Sequence, residues 1–167
     1  MRFIYTATLV AGLVAVPAAA QAPEILVKPP LAGFVTGYQA AKNGSSMIEQ
    51  VRKGETIDRW TTMVTTQRFA NLARKTTAVR FLTELGQNAE GSCAGARASA
   101  VRQVGTASEM RLDCPLNPQT RQPETFIALA IMGKNDLHIV QVAWRRAPSA
   151  GDVAWGENFL RGVSLKR

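Results

Sequence analysis

The chain has 167 residues and a mass of 18.0 kDa, and 20 Lys+Arg against 12 Asp+Glu leave it at +8 with its single His neutral. At 46% hydrophobic and 19% charged residues, with 13 Gly and 8 Pro, the composition is that of one folding domain. It excludes a disordered chain, a collagen-like repeat and a coiled coil. One histidine and two cysteines also exclude most metal sites built from soft ligands.

Residues 1–20 read as a secretory signal peptide. Arg2 gives a positive start, Phe3 to Val16 is an apolar run, Pro17 ends it, and Ala18-Ala19-Ala20 supplies small residues before a cut after Ala20. The run is shorter than the roughly 20 residues a spanning helix needs. Pro23 disfavours the alternative cut after Ala22. No cysteine lies near the cut, which excludes a lipid anchor attached there. Fourteen arginines against six lysines suit a bacterium with a GC-rich genome, so the expected compartment is the periplasm. Cys93 and Cys114 are then an even pair in an oxidising space, and one disulfide is expected. Closing their loop of about 20 residues is worth about 3 kcal/mol. A redox pair would place its cysteines much closer together.

Residues 21–32 read as an extended tail, because Pro23, Pro29 and Pro30 deny it ladder hydrogen bonds. A single domain is expected over 33–167. Phe34 to Lys42 and Ser45 to Val51 flank Asn43-Gly44, the strongest short hairpin signal. The stretch 60–68 fits a helical face through Trp60, Met63, Val64 and Gln67. It also carries Thr61, Thr62, Thr65 and Thr66, whose β-branching favours a strand, and strand is the reading adopted. A helix follows over 70–89, with Leu72, Val79, Leu82 and Leu85 as its stripe and Gly86 as its stop. A second hairpin, 98–104 with 107–114, places Met110, Leu112 and Cys114 inward. Glu109, Arg111 and Asp113 point to solvent. A third, 124–132 with 137–146, has a first strand apolar on both faces, the mark of a mid-sheet position. Residues 152–163 close the chain as a helix through Val153, Trp155, Phe159, Leu160 and Val163. The fold class is α+β: a mainly antiparallel sheet of about seven strands flanked by two helices.

Little in the chain carries chemistry. His138 shares a strand face with Val140, Val142 and Trp144, either as a general base or as a packed core ring. No G-x-S-x-G elbow surrounds a serine, and no P-loop or G-x-G-x-x-G is present. The carboxylate pairs Glu55/Asp58 and Glu109/Asp113 read as a turn cap and as solvated surface. No catalytic, cofactor-binding or metal-binding residue is assigned. Arg52-Lys53, Arg145-Arg146 and Lys166-Arg167 lie at element ends and form a candidate basic patch, while Arg74-Lys75 lies inside the first helix. In an exported protein the partner for such a patch is an anionic envelope surface or an acidic protein rather than nucleic acid.

Gly54-Glu-Thr-x-x-x-Trp60-Thr-x-Met63-Val64-Thr65-x-Gln67 resembles a segment of small exported proteins of Gram-negative bacteria. The hairpin before it and the strand Asp136 to Gln141 after it fit the same family. The element order resembles the PsbP-like fold. The resemblance implies a periplasmic accessory or binding protein without catalytic machinery or cofactor, and it assigns no site residue. The alternatives are a periplasmic hydrolase using His138 or the Glu55/Asp58 pair, and an envelope polyanion binder.

Overall fold

The computed structural model describes residues 24–166, so the expected signal peptide over 1–20 and Arg167 of the candidate basic patch lie outside the described residues. The architecture is α+β. Ten strands and two helices follow in the order β1 Ile25–Val27, β2 Phe34–Lys42, β3 Ser45–Arg52, β4 Thr62–Phe69, α1 Ala78–Ser92, β5 Arg97–Ala98, β6 Arg102–Val104, β7 Ala107–Cys114, β8 Glu124–Met132, β9 Leu137–Trp144, α2 Ala150–Arg161 and β10 Ser164–Lys166. Eight strands build one antiparallel sheet in the order β2-β3-β4-β9-β8-β7-β5, with β6 also paired to β7. The expected second hairpin is therefore split, its first strand broken into β5 and β6 along one edge of β7. β8, apolar on both faces, lies inside the sheet as its pattern requires.

Cross-strand register sorts the side chains onto two faces. One face carries Val64, Ile127, Leu129, Ile131, Val140, Val142 and Trp144 beneath Phe159 and Leu160 of α2. The other carries Met110, Leu112, Ala128, Ala130, Leu137 and Ile139 beneath Ala78 and Leu82 of α1. The disulfide Cys93–Cys114 is present, with Cα atoms 6.0 Å apart. Cys93 caps the C-terminus of α1 and Cys114 ends β7 on the same face, so the bond fastens helix to sheet.

The structure corrects several expectations. The stretch 21–32 is not an unpaired tail over its described part, because Ile25, Leu26 and Val27 pair with Lys166, Leu165 and Ser164. The prolines flank these three residues, so their missing N–H groups cost the ladder nothing. The tail then lies across the sheet, where Lys28 Nζ donates to Thr66 Oγ1 (2.8 Å) and Gln50 Oε1 (3.3 Å), and burial lowers the Lys28 pKa. The first helix starts at Ala78 rather than residue 70. Thr77 accepts at its N-cap from Arg80 N, and a 3-10 turn at Leu72–Arg74 precedes it. The buried stripe runs through Ala78, Leu82 and Gly86, leaving Val79 exposed, while Leu72 reaches the core from the turn. Gly86 is not a stop but a contact point, since a Cβ there would lie 2.9 Å from Ala98 Cβ and 3.0 Å from Met110 Sδ. Glu109 is not solvated: it is 4% exposed on the α2 face, and Arg102 Nη2 reaches its Oε1 at 2.5 Å. The alternation was read correctly, but the covering helix makes the outer face an inner one.

The second helix starts two residues earlier than expected, because Ser149 and Asp152 form a capping box. Arg146 also binds Asp152 through both oxygens, at 2.6 and 2.9 Å. These Arg146 bonds, then those from Ser149, hold the Asp152 carboxyl far below its ordinary value of 3.8. A carboxyl depressed in the folded state contributes stability that is present above the unfolded pKa and is lost as pH falls below it. Asp152→Asn should therefore cost about 1–2 kcal/mol at neutral pH, discounted for the exposure of Arg146. The gap to the parent should close as pH drops below 3.8. Urea unfolding of both proteins across that range checks the sign.

Candidate functional site: a sealed carboxylate and histidine cluster

Gly133 N–H donates to Asp136 O (2.9 Å) and closes the turn between β8 and β9. Asp136, 5% exposed, then faces the end of β4. Its Oδ2 accepts from Arg68 Nε at 2.6 Å and its Oδ1 from Asn71 N at 2.9 Å. Asn71 takes a positive φ of 58° to present that N–H, a conformation asparagine tolerates. Burial alone would raise the Asp136 carboxyl, but the Asn71 N–H and the Arg68 guanidinium hold it below the usual range. One pleat further along β9, His138 is paired across the ladder with Arg68 and Ile131.

The third member comes from the other end of the chain. Glu24, just before β1, sets its carboxylate over the turn, where Lys134 N donates to Oε1 and Asp136 N to Oε2 at 3.4 Å. A Cβ on Gly133 would fall 2.0 Å from Glu24 Oε2, so a side chain there would displace the carboxylate from this position. His138 Nε2 points at the same oxygen from 3.9 Å, beyond hydrogen-bond reach. His138 is 2% exposed, and its Nε2 has no hydrogen-bond partner among the described residues. Burial pushes the ring below its ordinary value of 6.5, against the pull of Glu24 and Asp136. Sequence reasoning singled out His138 and missed its partners. Asp136 and His138 are two apart at the start of a strand, a signal that they share a side, but Glu24 is brought in only by the pairing of β1 with β10.

Of the pair Glu55/Asp58, the Glu55 carboxylate is occupied. Glu55 accepts from Thr61 Oγ1 (2.5 Å) and Thr61 N (3.1 Å), fastening the loop that leads to buried Trp60. The backbone carbonyl of Asp58 accepts from Arg145 Nη1 at 2.5 Å.

Of the basic residues, Arg52 and Lys53 follow β3 while Arg145 and Arg146 follow β9. Register places all four at the same end of the sheet, about 10 Å apart across two strand spacings. Arg52 lies over the Phe34 ring at 5.3 Å and Arg145 over the Trp60 ring at 4.3 Å. Arg146 is committed to Asp152. Lys166 is not part of this group, because β10 pairs with β1 beside Glu24, at the opposite end of the sheet.

A cleft of about 190 Å³ beside the disulfide is lined by Leu112, Phe126, Asn117 and Glu124. Burial raises the Glu124 carboxyl, which accepts from Asn117 Nδ2 at 2.9 Å. The volume is below the roughly 300–1,000 Å³ usual for ligand pockets.

No protein-family model and no curated protein sequence matches the chain. Among solved structures it is similar to a mutant of protein Mog1, with 10% identity, a TM-score of 0.47 and coverage of 81% of each chain. It is also similar to the Saccharomyces cerevisiae Ran-binding protein Mog1p, again with 10% identity and a TM-score of 0.47, over 83% of this chain and 85% of that one.

Proposed function

We propose that the chain is a non-catalytic binding protein of the periplasm, exported by cleavage after Ala20, whose contact surface is the basic end of the sheet. The observation that supports this reading best is the use the fold makes of its reactive groups. His138, the sole histidine, is sealed at 2% exposure, and both Glu55 oxygens close a loop. A general base must come within hydrogen-bond reach of a substrate proton, and a ring covered by Glu24 does not. Among the described residues, no helix is long and apolar enough to cross a membrane.

The partner class is an anionic surface of the cell envelope, such as lipid headgroup phosphates. Arg52 and Arg145 are preorganised on aromatic rings, and Lys53 adjoins Arg52. Each cation near an anionic surface contributes about 1 kcal/mol within a Debye length of about 8 Å. The exported protein should therefore bind phosphatidylglycerol vesicles at low ionic strength, lose most of that binding near physiological salt, and ignore neutral vesicles. Arg52→Gln with Lys53→Gln should weaken it, whereas Lys166→Gln should not. Equal binding to both vesicle types, or equal loss from Lys166→Gln, contradicts this surface.

A further inference from the structure

We propose that Glu24, Asp136 and His138 form a binding site for one borderline divalent cation of the zinc type, which clamps β1 to the β8–β9 turn. One oxygen from each carboxylate and one ring nitrogen lie within 4.8 Å of one another. Ligands on a tetrahedral zinc sit about 2.0–2.2 Å from the ion and so about 3.4 Å from one another, which requires the 3.9 Å between His138 Nε2 and Glu24 Oε2 to close by about half an ångström and a separation near 4.8 Å by about 1.4 Å.

Two observations separate this cluster from an ordinary acidic group. His138 Nε2 is buried, aimed into the cluster and without a partner among the described residues, a position structures rarely leave unfilled. Gly133 supplies the space in which Glu24 Oε2 sits, and any side chain there would expel it.

The hydrogen bonds present leave coordination sites open. Each carboxylate oxygen has two acceptor positions, and the bonds from Asn71 N, Arg68 Nε, Lys134 N and Asp136 N occupy one on each of the four oxygens, leaving one open on each. Arg68 then orients Asp136 from outside the ligand set, the usual place for a supporting group. A nitrogen ligand with only two carboxylates suits zinc better than calcium or magnesium, which demand more oxygens. The site lies at the opposite end of the sheet from the basic residues, so this inference stands apart from the proposed contact surface.

Calorimetric titration of the chelator-treated exported protein with Zn²⁺ alone tests it, followed by X-ray absorption of the zinc-loaded protein. We expect one equivalent bound, one imidazole in the coordination shell, and no comparable binding of Ca²⁺ or Mg²⁺. Glu24→Gln, on a peripheral segment, should weaken binding by at least the roughly 10–100-fold that outer-shell losses cost. His138→Gln should do the same if it folds, as judged by circular dichroism, and Glu84→Gln on the exposed face of α1 should change nothing. Absence of zinc binding, a shell without imidazole, or equal affinity in Glu24→Gln and the parent overturns the proposal.

Discussion

Replacing Cys93 with Ser should lower the unfolding free energy of the exported protein by about 2–4 kcal/mol. The bond joins the last residue of the α1 cap to the last residue of β7, and α1 otherwise holds to the sheet through a modest stripe around Ala78 and Leu82. Once the cross-link is gone, the unfolded chain regains the freedom of the intervening loop, while the folded contacts stay largely intact. The effect belongs to the unfolded state, so the parent treated with a reductant should fall to nearly the same stability as the variant. Urea denaturation of oxidised parent, reduced parent and variant checks this. A variant as stable as the oxidised parent would mean that α1 docks without help from the bond.

The largest side-chain effect should come from Trp144. Its ring is fully buried, and it lies against Gly156 of α2, where a Cβ would approach Trp144 Cη2 to 2.8 Å. The glycine lets the helix come close enough for the indole to fill the interface. Trp144→Ala should cost about 3–5 kcal/mol, the transfer loss plus the cavity left behind. Gly156→Ala should cost about 1–3 kcal/mol by overpacking the same contact. The two changes act on one interface, so their effects should not add. Trp144→Phe should cost less than Trp144→Ala for two reasons. It keeps a ring, and it removes an indole N–H that is buried without a partner among the described residues. Thermal or urea unfolding of the parent, the three single variants and the Trp144→Ala/Gly156→Ala double variant decides the order and the additivity.

Local signals made much of the fold legible. Asn43-Gly44 announced the first hairpin, and both of its residues take positive φ, 51° and 75°. The apolar run at Phe126 to Met132 marked a central strand. The even cysteine count, read with the expected export, marked the disulfide. What failed were judgements that depend on what covers a surface. Glu109 alternates correctly with Met110, yet no local pattern says that α2 will lie over it and that Arg102 will come with it. The buried stripe of α1 runs through Ala78, Leu82 and Gly86, and Val79 stands one residue off it, turned to solvent.

The candidate site was the least legible part, because its three members come from positions 24, 136 and 138. A search for metal ligands among His and Cys alone finds one free side chain in this sequence and stops. The carboxylates that complete the set are ordinary residues of a turn and of a proline-flanked segment. Only the pairing of β1 with β10, a contact between the two ends of the described chain, brings Glu24 over His138.

The proposed non-catalytic function rests on His138, which at 2% exposure lies out of reach of a substrate. With a single histidine in the chain, acylation of imidazole by diethylpyrocarbonate reads that one residue. On the chelator-treated folded protein no N-carbethoxyhistidine absorbance is expected over a period in which free imidazole reacts to completion. One equivalent should form when urea is added. Stoichiometric modification of the native protein at the rate of free imidazole would contradict it, and would return His138 to the status of an accessible base.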